Sequence, residues 1–206
     1  LIKYSYAFIV LPGGFGTIAA MEDQELLAQL RRLAGTARYV TSVCTGALVL
    51  GAAGLLKGKR ATTHCAWRDV LPAFGATLYS SRVFLYVNVF TCGGVTAGID
   101  FALTVLAEIA GAAFAQSVQL RIEYAPDPPF NAGRPELAPA QVLATAQARY
   151  EEVRSARDAA VQRAAAIGRR NLRAAAAGDH RVGRVRADDG DGLDAGRLDR
   201  QDAARV

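Results

Sequence analysis

Residues 6–11, YAFIVL, are apolar without interruption and stop at Pro12-Gly13-Gly14, which predicts a buried strand running into a tight loop. An amphipathic pattern follows. Glu22, Asp23 and Glu25 occupy its start, Leu26, Leu27, Leu30 and Leu33 form one stripe, and Arg31, Arg32 and Arg38 lie toward its end. Acid first and base last suits a helix dipole, so this stretch predicts a helix. RYVTSV then reads as a second buried strand, and TGALVLGAAG as a short helix whose small residues allow close packing. Strand, helix, strand, helix predicts a parallel sheet covered by helices.

Beyond GLLKGKR, the segment THCAWRDVLPAFG reads as helical, and KRATTH before it as a further strand end on the same rim. ATLY, RVFLYV and NVFTC are short β-type runs with local antiparallel character. Gly93-Gly94 turns the chain into the apolar helix TAGIDFALTVLAEIAG, capped by Thr96 or Asp100, with AQSVQLRIEY continuing as another helix. APDPPFNAGRPE is a proline-rich loop. Pro139 suits the first turn of an alanine-rich helix whose apolar side carries Val142, Leu143, Tyr150, Val153 and Val161.

From about Gly168 the texture changes to arginine, aspartate, glycine and alanine, with nine arginines against seven aspartates and no aromatic residue. The expected organisation is one α/β domain over 1–167 and a disordered tail over 168–206. Hydrophobic residues make up 51% of the 206, enough for a core. The net charge of +5 arises from interleaved arginines and carboxylates rather than a basic block, which argues against nucleic acid as a partner. No apolar stretch is long enough to span a bilayer, and Glu108 interrupts one of the longest. Three cysteines, Cys44, Cys65 and Cys92, without a C-x-x-C pair, and two histidines, His64 and His180, support neither a disulfide framework nor a metal cage. The expected setting is reducing and cytoplasmic, and no cofactor is called for.

Cys44 is the candidate for chemistry. It stands where RYVTSV meets TGALVLGAAG, with Ser42 and Gly46 two residues to either side. This is a cysteine form of the nucleophile elbow, in which small neighbours permit a sharp strand-to-helix turn that projects the side chain. The positive end of the following helix favours an anion at that point, and ligands of open parallel sheets collect at the carboxyl ends of strands. The Pro12-Gly13-Gly14 loop ends the preceding strand, so its backbone can offer an N–H beside the thiol, opposite the N–H of Thr45. His64 is the one histidine of the body and a candidate neighbour of Cys44; Cys65 and Cys92 read as structural.

PGGFGT, AMEDQELL, ARYVTSVCTGALVLGAAGLLKGKRATTH, GGVTAGIDFALT and VQLRIEYAPDPPFNAG, in this order over about residues 10–165, resemble the ThiJ/PfpI superfamily, related to class I glutamine amidotransferases, and within it the isonitrile-hydrating branch. The resemblance implies a flavodoxin-like three-layer α/β sandwich with a mostly parallel sheet, a homodimer, and no metal or organic cofactor. It further implies Cys44 as nucleophile, Thr45 as the residue that binds and orients substrate, Gly14 as part of an oxyanion pocket and His64 as a neighbour of the site. The implied reaction adds water to an isonitrile to give an N-substituted formamide.

The family also places a carboxylate from its first strand-to-helix turn against the thiol. No acidic residue precedes Pro12 here. The expectation is that the first strand-helix unit, about fifty residues, is absent from this chain and that activity is impaired. Leu85, Tyr86 and Val87 stand where the family has a polar Asp-Gly turn, so a β-branched residue is expected at a strained turn position. Two other readings stay open: glyoxalase-like or amidohydrolase-like chemistry on small electrophiles, and a noncatalytic sensor whose Cys44 is oxidised to sulfinate. No paired-helix segment follows residue 165, which argues against a DNA-binding regulator.

Overall fold

A computed structural model describes residues 7–182. Four strands form the main sheet in the order β1-β2-β6-β5: β1 (Phe8–Leu11), β2 (Tyr39–Val43), β6 (Val89–Cys92) and β5 (Val83–Tyr86). β1 and β2 pair in parallel with Phe8 opposite Tyr39, and β2 and β6 in parallel with Val40 opposite Val89. Only β5 runs antiparallel, as one arm of a hairpin with β6. β2 and β6 are buried almost throughout, Thr41, Ser42 and Thr91 included, as strands covered on both faces are.

The two faces carry separate cores. On one, α1 (Thr17–Ala20), α2 (Gln24–Ala34), α3 (Gly46–Ala52), the 3-10 helical segment Cys65–Phe74 and part of α6 (Ala140–Val182) surround Leu27, Leu30, Leu48, Leu50, Leu56 and Leu71. On the other, α4 (Ala97–Ala110) lays Ala97 and Phe101 against Tyr39, Phe90 and Cys92, with α5 (Ala112–Arg121) packed on α4. This is the mostly parallel three-layer α/β arrangement expected. α3 is its centre: all seven residues are buried. A Cβ on Gly51 would fall 2.7 Å from the ring of Phe74, so the absence of a side chain there lets the 3-10 segment press onto α3. Full burial of Leu48 and Leu50 contributes about 1.5–3 kcal/mol each.

Local chemistry explains the element ends. Asp23 caps α2 by accepting from the Leu26 N–H at 3.0 Å. Thr96 occupies the N-cap position of α4 without capping it; its hydroxyl accepts from Arg82 Nη2 at 3.2 Å, and Asp100 pairs with Arg82, so neither residue caps as the sequence suggested.

Other expectations change. ATLY contributes β4 (Thr77–Leu78), which pairs in parallel with β3 (Arg60–Ala61) in a small separate sheet rather than joining the antiparallel hairpin. THCAWRDVLPAFG forms 3-10 turns from Cys65 rather than an α-helix. α6 begins immediately after Pro139 and buries Val161 as expected, but the rest of its buried face is Arg157, Ala160, Ala164 and Ala165, at helical spacing, while Val142 and Tyr150 are exposed. Alanine serves there because the helix lies close to α3 and the 3-10 segment. α6 also runs through residue 168 to Val182, so the boundary expected at 168 falls inside a helix; 183–206 lie outside the described residues.

Candidate active site

β2 and α3 leave no residue to spare between them except Cys44 and Thr45. Cys44 makes the turn in the left-handed region, φ 57°, a conformation costly for a residue with a Cβ. The surrounding structure holds it there. Its N–H is shared between the carbonyls of Gly93 at 2.9 Å and Cys92 at 3.2 Å, and its carbonyl accepts from Thr63 Oγ1 at 2.8 Å. A non-glycine residue strained in this way at a strand-to-helix turn is the backbone signature of a nucleophile elbow. The thiol is half-buried at the head of α3.

The glycine loop meets this turn through two close approaches. A Cβ on Gly13 would lie 2.6 Å from Cys44 Cβ and 2.8 Å from Thr45 N, and one on Gly46 would lie 2.3 Å from the Leu11 carbonyl oxygen. Gly46 therefore lets α3 abut the end of β1, and Gly13 lets the loop abut the cysteine. Gly14, at φ 128°, donates its N–H to Thr45 Oγ1 at 2.9 Å, and its carbonyl accepts from Thr17 Oγ1 at 2.7 Å. The Gly14 amide is thus committed to the Thr45 hydroxyl. The bond unites Gly14 and Thr45, and makes the threonine hydroxyl the polar group that the loop orients.

His64 caps the 3-10 segment: its Nδ1 accepts the Ala66 N–H at 3.2 Å, so the neutral ring carries its proton on Nε2. Burial, and then the Arg68 guanidinium, lower its pKa from the ordinary 6.5, which keeps it neutral at neutral pH. Its ring faces Gly94, where a Cβ would sit 3.1 Å from Cδ2, and meets Tyr150 edge-on at 5.9 Å between centroids. The segment is bound to the main sheet by two threonines: Thr62 N–H donates to Thr91 Oγ1 at 2.9 Å, and Thr63 reaches Cys44 as above.

Tyr150 was read from the sequence only as part of an apolar helix face. Its ring meets that of His64, and burial, then the charges of Cys65 and Cys44, push its hydroxyl pKa up. Nothing in the linear pattern marks a tyrosine more than eighty residues away as a neighbour of His64. Cys92 is fully buried and its thiol is pushed up to about 11 by burial, in keeping with a structural role. Cys65 is exposed, with Sγ 4.0 Å from His64 Nδ1. Two cavities, about 490 and 380 Å³, are both lined by His64, Cys65, Arg68 and the loop at Gly133–Glu136; Cys44 lines neither. Arg68 reaches Glu136 at 3.4 Å and so ties the proline-rich loop to this rim.

Among the described residues no group of three or more His, Cys, Asp or Glu side chains could hold a metal ion, and no helix is long and apolar enough to cross a membrane. The described His64 and Cys65 are adjacent to the cavities, and Cys44, Thr45 and Gly14 form one hydrogen-bonded turn beside them.

Comparison with known proteins gives a consistent result. The DJ-1/PfpI family model matches residues 2–108. Isonitrile hydratase of Pseudomonas putida is 54% identical over 158 residues, covering 77% of this chain and 69% of that protein. The Parkinson disease protein 7 homolog of Danio rerio is 32% identical over 116 residues, covering 55% of this chain and 61% of its own length. Among solved structures, a ThiJ/PfpI family protein from Pseudomonas syringae superposes with a TM-score of 0.72 at 43% identity, over 80% of this chain and 67% of the other.

Proposed function

Because this chain belongs to the DJ-1/PfpI family, we propose that it is an enzyme that hydrates isonitriles to N-substituted formamides with Cys44 as the nucleophile. The observation that carries the reading is the strained Cys44, φ 57°, at the head of α3. The 54% identity to an isonitrile hydratase supports the substrate class.

The thiolate of Cys44 adds to the terminal carbon of R–N≡C while that carbon receives a proton, which gives the thioimidate R–N=CH–S–Cys44. Water then attacks the same carbon, the C–S bond breaks, and loss of thiolate with proton transfer to nitrogen leaves R–NH–CHO. The Thr45 hydroxyl, oriented by the Gly14 amide, binds the substrate beside the sulfur. The proton donor offered by this chain is Tyr150, whose ring meets that of His64 edge-on at 5.9 Å. His64, neutral with its proton on Nε2, completes the polar side. The cytoplasmic setting and homodimer remain part of the proposal; Ile109, Phe114, Leu120 and Ile122, exposed on and beyond α4 and α5, support a second copy as the cover of that face.

The test is incubation with a simple alkyl isonitrile and detection of its formamide. Turnover is expected for the unaltered chain, none for Cys44→Ala, and a fall of about a hundredfold or more for Tyr150→Phe, the lower end of the range for removing a proton donor. Formamide production that survives Cys44→Ala overturns the thiolate mechanism, and turnover of methylglyoxal in place of isonitrile replaces the substrate class.

A further inference from the structure

At the opposite end of α3 from Cys44 lies a cavity of about 430 Å³. Its floor is apolar: the Phe74 ring, Ala164 and the α3 carboxyl end, closed on one side by Gly168 of α6. Its polar charge is of one sign. Arg31 from α2, Lys57 from the loop after α3 and Arg169 from α6 line it, and no carboxylate does. Among the described residues none of these three cations enters an ion pair; the arginines that do are Arg68, Arg82, Arg154, Arg157 and Arg163.

The cations are not spent on the helix end beside them. Two carbonyls of the last turn of α3 are already satisfied by the chain itself, Leu50 O by the Leu55 N–H at 3.0 Å and Gly51 O by the Gly54 N–H at 2.8 Å. The carboxyl end of a short helix carries roughly half a negative charge, well below three full positive ones. An apolar chamber with an uncompensated cationic rim is complementary to an anion that has an apolar body.

We infer that this cavity is a binding site for an aliphatic monocarboxylate, its chain against Phe74 and Ala164 and its carboxylate among Arg31, Lys57 and Arg169. The site is separate from Cys44 and does not depend on the reaction proposed there. Three elements distant in sequence meet at it, so an occupant would also fasten α6 to the body.

Titration calorimetry on the full chain with decanoate, decan-1-ol and decyltrimethylammonium, all kept below micelle formation, tests it. Decanoate is expected to bind saturably at one per chain, and at least about tenfold more tightly than the alcohol or the cation, with the margin shrinking as salt is raised. The triple variant Arg31→Gln, Lys57→Gln, Arg169→Gln should lose that margin. Gly168→Leu should weaken decanoate by about tenfold or more. A Cβ there meets nothing nearer than the Ala52 carbonyl oxygen at 3.9 Å, so the backbone accepts it and the added side chain enters the cavity. An unchanged circular dichroism spectrum establishes that each variant is folded. Absence of saturable binding, equal affinity for decanoate and decanol, or undiminished binding in folded Gly168→Leu overturns the inference.

Discussion

The backbone of Gly13 lies so close to Cys44 that a methyl group on the glycine would fall 2.6 Å from the cysteine's Cβ. The reactive turn and the glycine loop are therefore one unit, and the position that matters most for contact is Gly13 rather than Gly14.

Gly13→Ala must displace Cys44, Thr45 or both. It is expected to cost about 1–3 kcal/mol of stability and to lower isonitrile turnover by about tenfold or more, because reacting groups tolerate little misplacement. Gly16→Ala is the comparison: Gly16 already has φ −60° and nothing stands within 4 Å of its Cβ direction. Denaturant melts and turnover measured on both variants check this; equal behaviour of the two would sink it.

Val87 forms the first loop position of the β5–β6 hairpin at φ 59°, where a two-residue turn with one left-handed residue favours glycine. Asn88 follows without a positive φ. The hairpin is kept and Val87 bears the strain expected from the sequence. Its side chain is 79% exposed and so has little packing to lose. Val87→Gly is expected to raise stability by about 1 kcal/mol, the left-handed cost less part of glycine's entropy cost. A melting temperature at or below that of the unaltered chain would contradict it.

His64 gives the fold a defined acid sensitivity. Its pKa lies below 6.5 in the folded state, so below about pH 6.5 the unfolded chain takes up a proton that the folded chain resists. The contribution is complete above that pH and is lost progressively as pH falls. His64→Asn retains an acceptor for the Ala66 N–H but does not titrate. The drop in melting temperature between pH 8 and pH 5 should be smaller in this variant; an equal or larger drop would assign the sensitivity to other groups.

Arg157 joins α6 to the segment that carries His64. Buried, it donates to the Ala66 carbonyl at 2.9 Å, pairs with Asp69 at 3.0 Å and lies 5.3 Å from the Trp67 ring centroid. Asp69 is half-exposed, which limits the electrostatic share. Arg157→Met is expected to cost about 1–3 kcal/mol, chiefly in charge-assisted hydrogen bonds and stacking. Trp67, the single tryptophan of the chain, reports the change directly by fluorescence during denaturation; a cost within about 0.5 kcal/mol, the range of ordinary surface substitutions, would show that α6 is held by its alanine face alone.

The apolar run before Pro12, the acid-to-base gradient of α2 and the small-residue texture of α3 are local patterns. They made β1, α2, β2 and α3 legible in order, and with them the elbow at Cys44, because a strand-to-helix turn of this kind needs small neighbours within two residues. Local patterns could not assign β4 its partner, since a two-residue strand has no periodicity and pairs where the small sheet offers an edge. Nor could they choose most of the face of α6: hydrophobicity pointed to Val142, Leu143, Tyr150, Val153 and Val161, of which Val161 is buried, whereas close approach to α3 selected alanine and buried Arg157.

The sequence by itself determined the layered α/β class and the residue at the turn, because both follow from periodicity and turn chemistry within a few residues. Only the tertiary structure decided which glycine abuts Cys44, that the Gly14 amide is engaged by Thr45, and that Tyr150 returns to meet the His64 ring. Those relations span about thirty to a hundred residues of chain, and close approach over such distances is set by how the layers interlock, which no local pattern encodes.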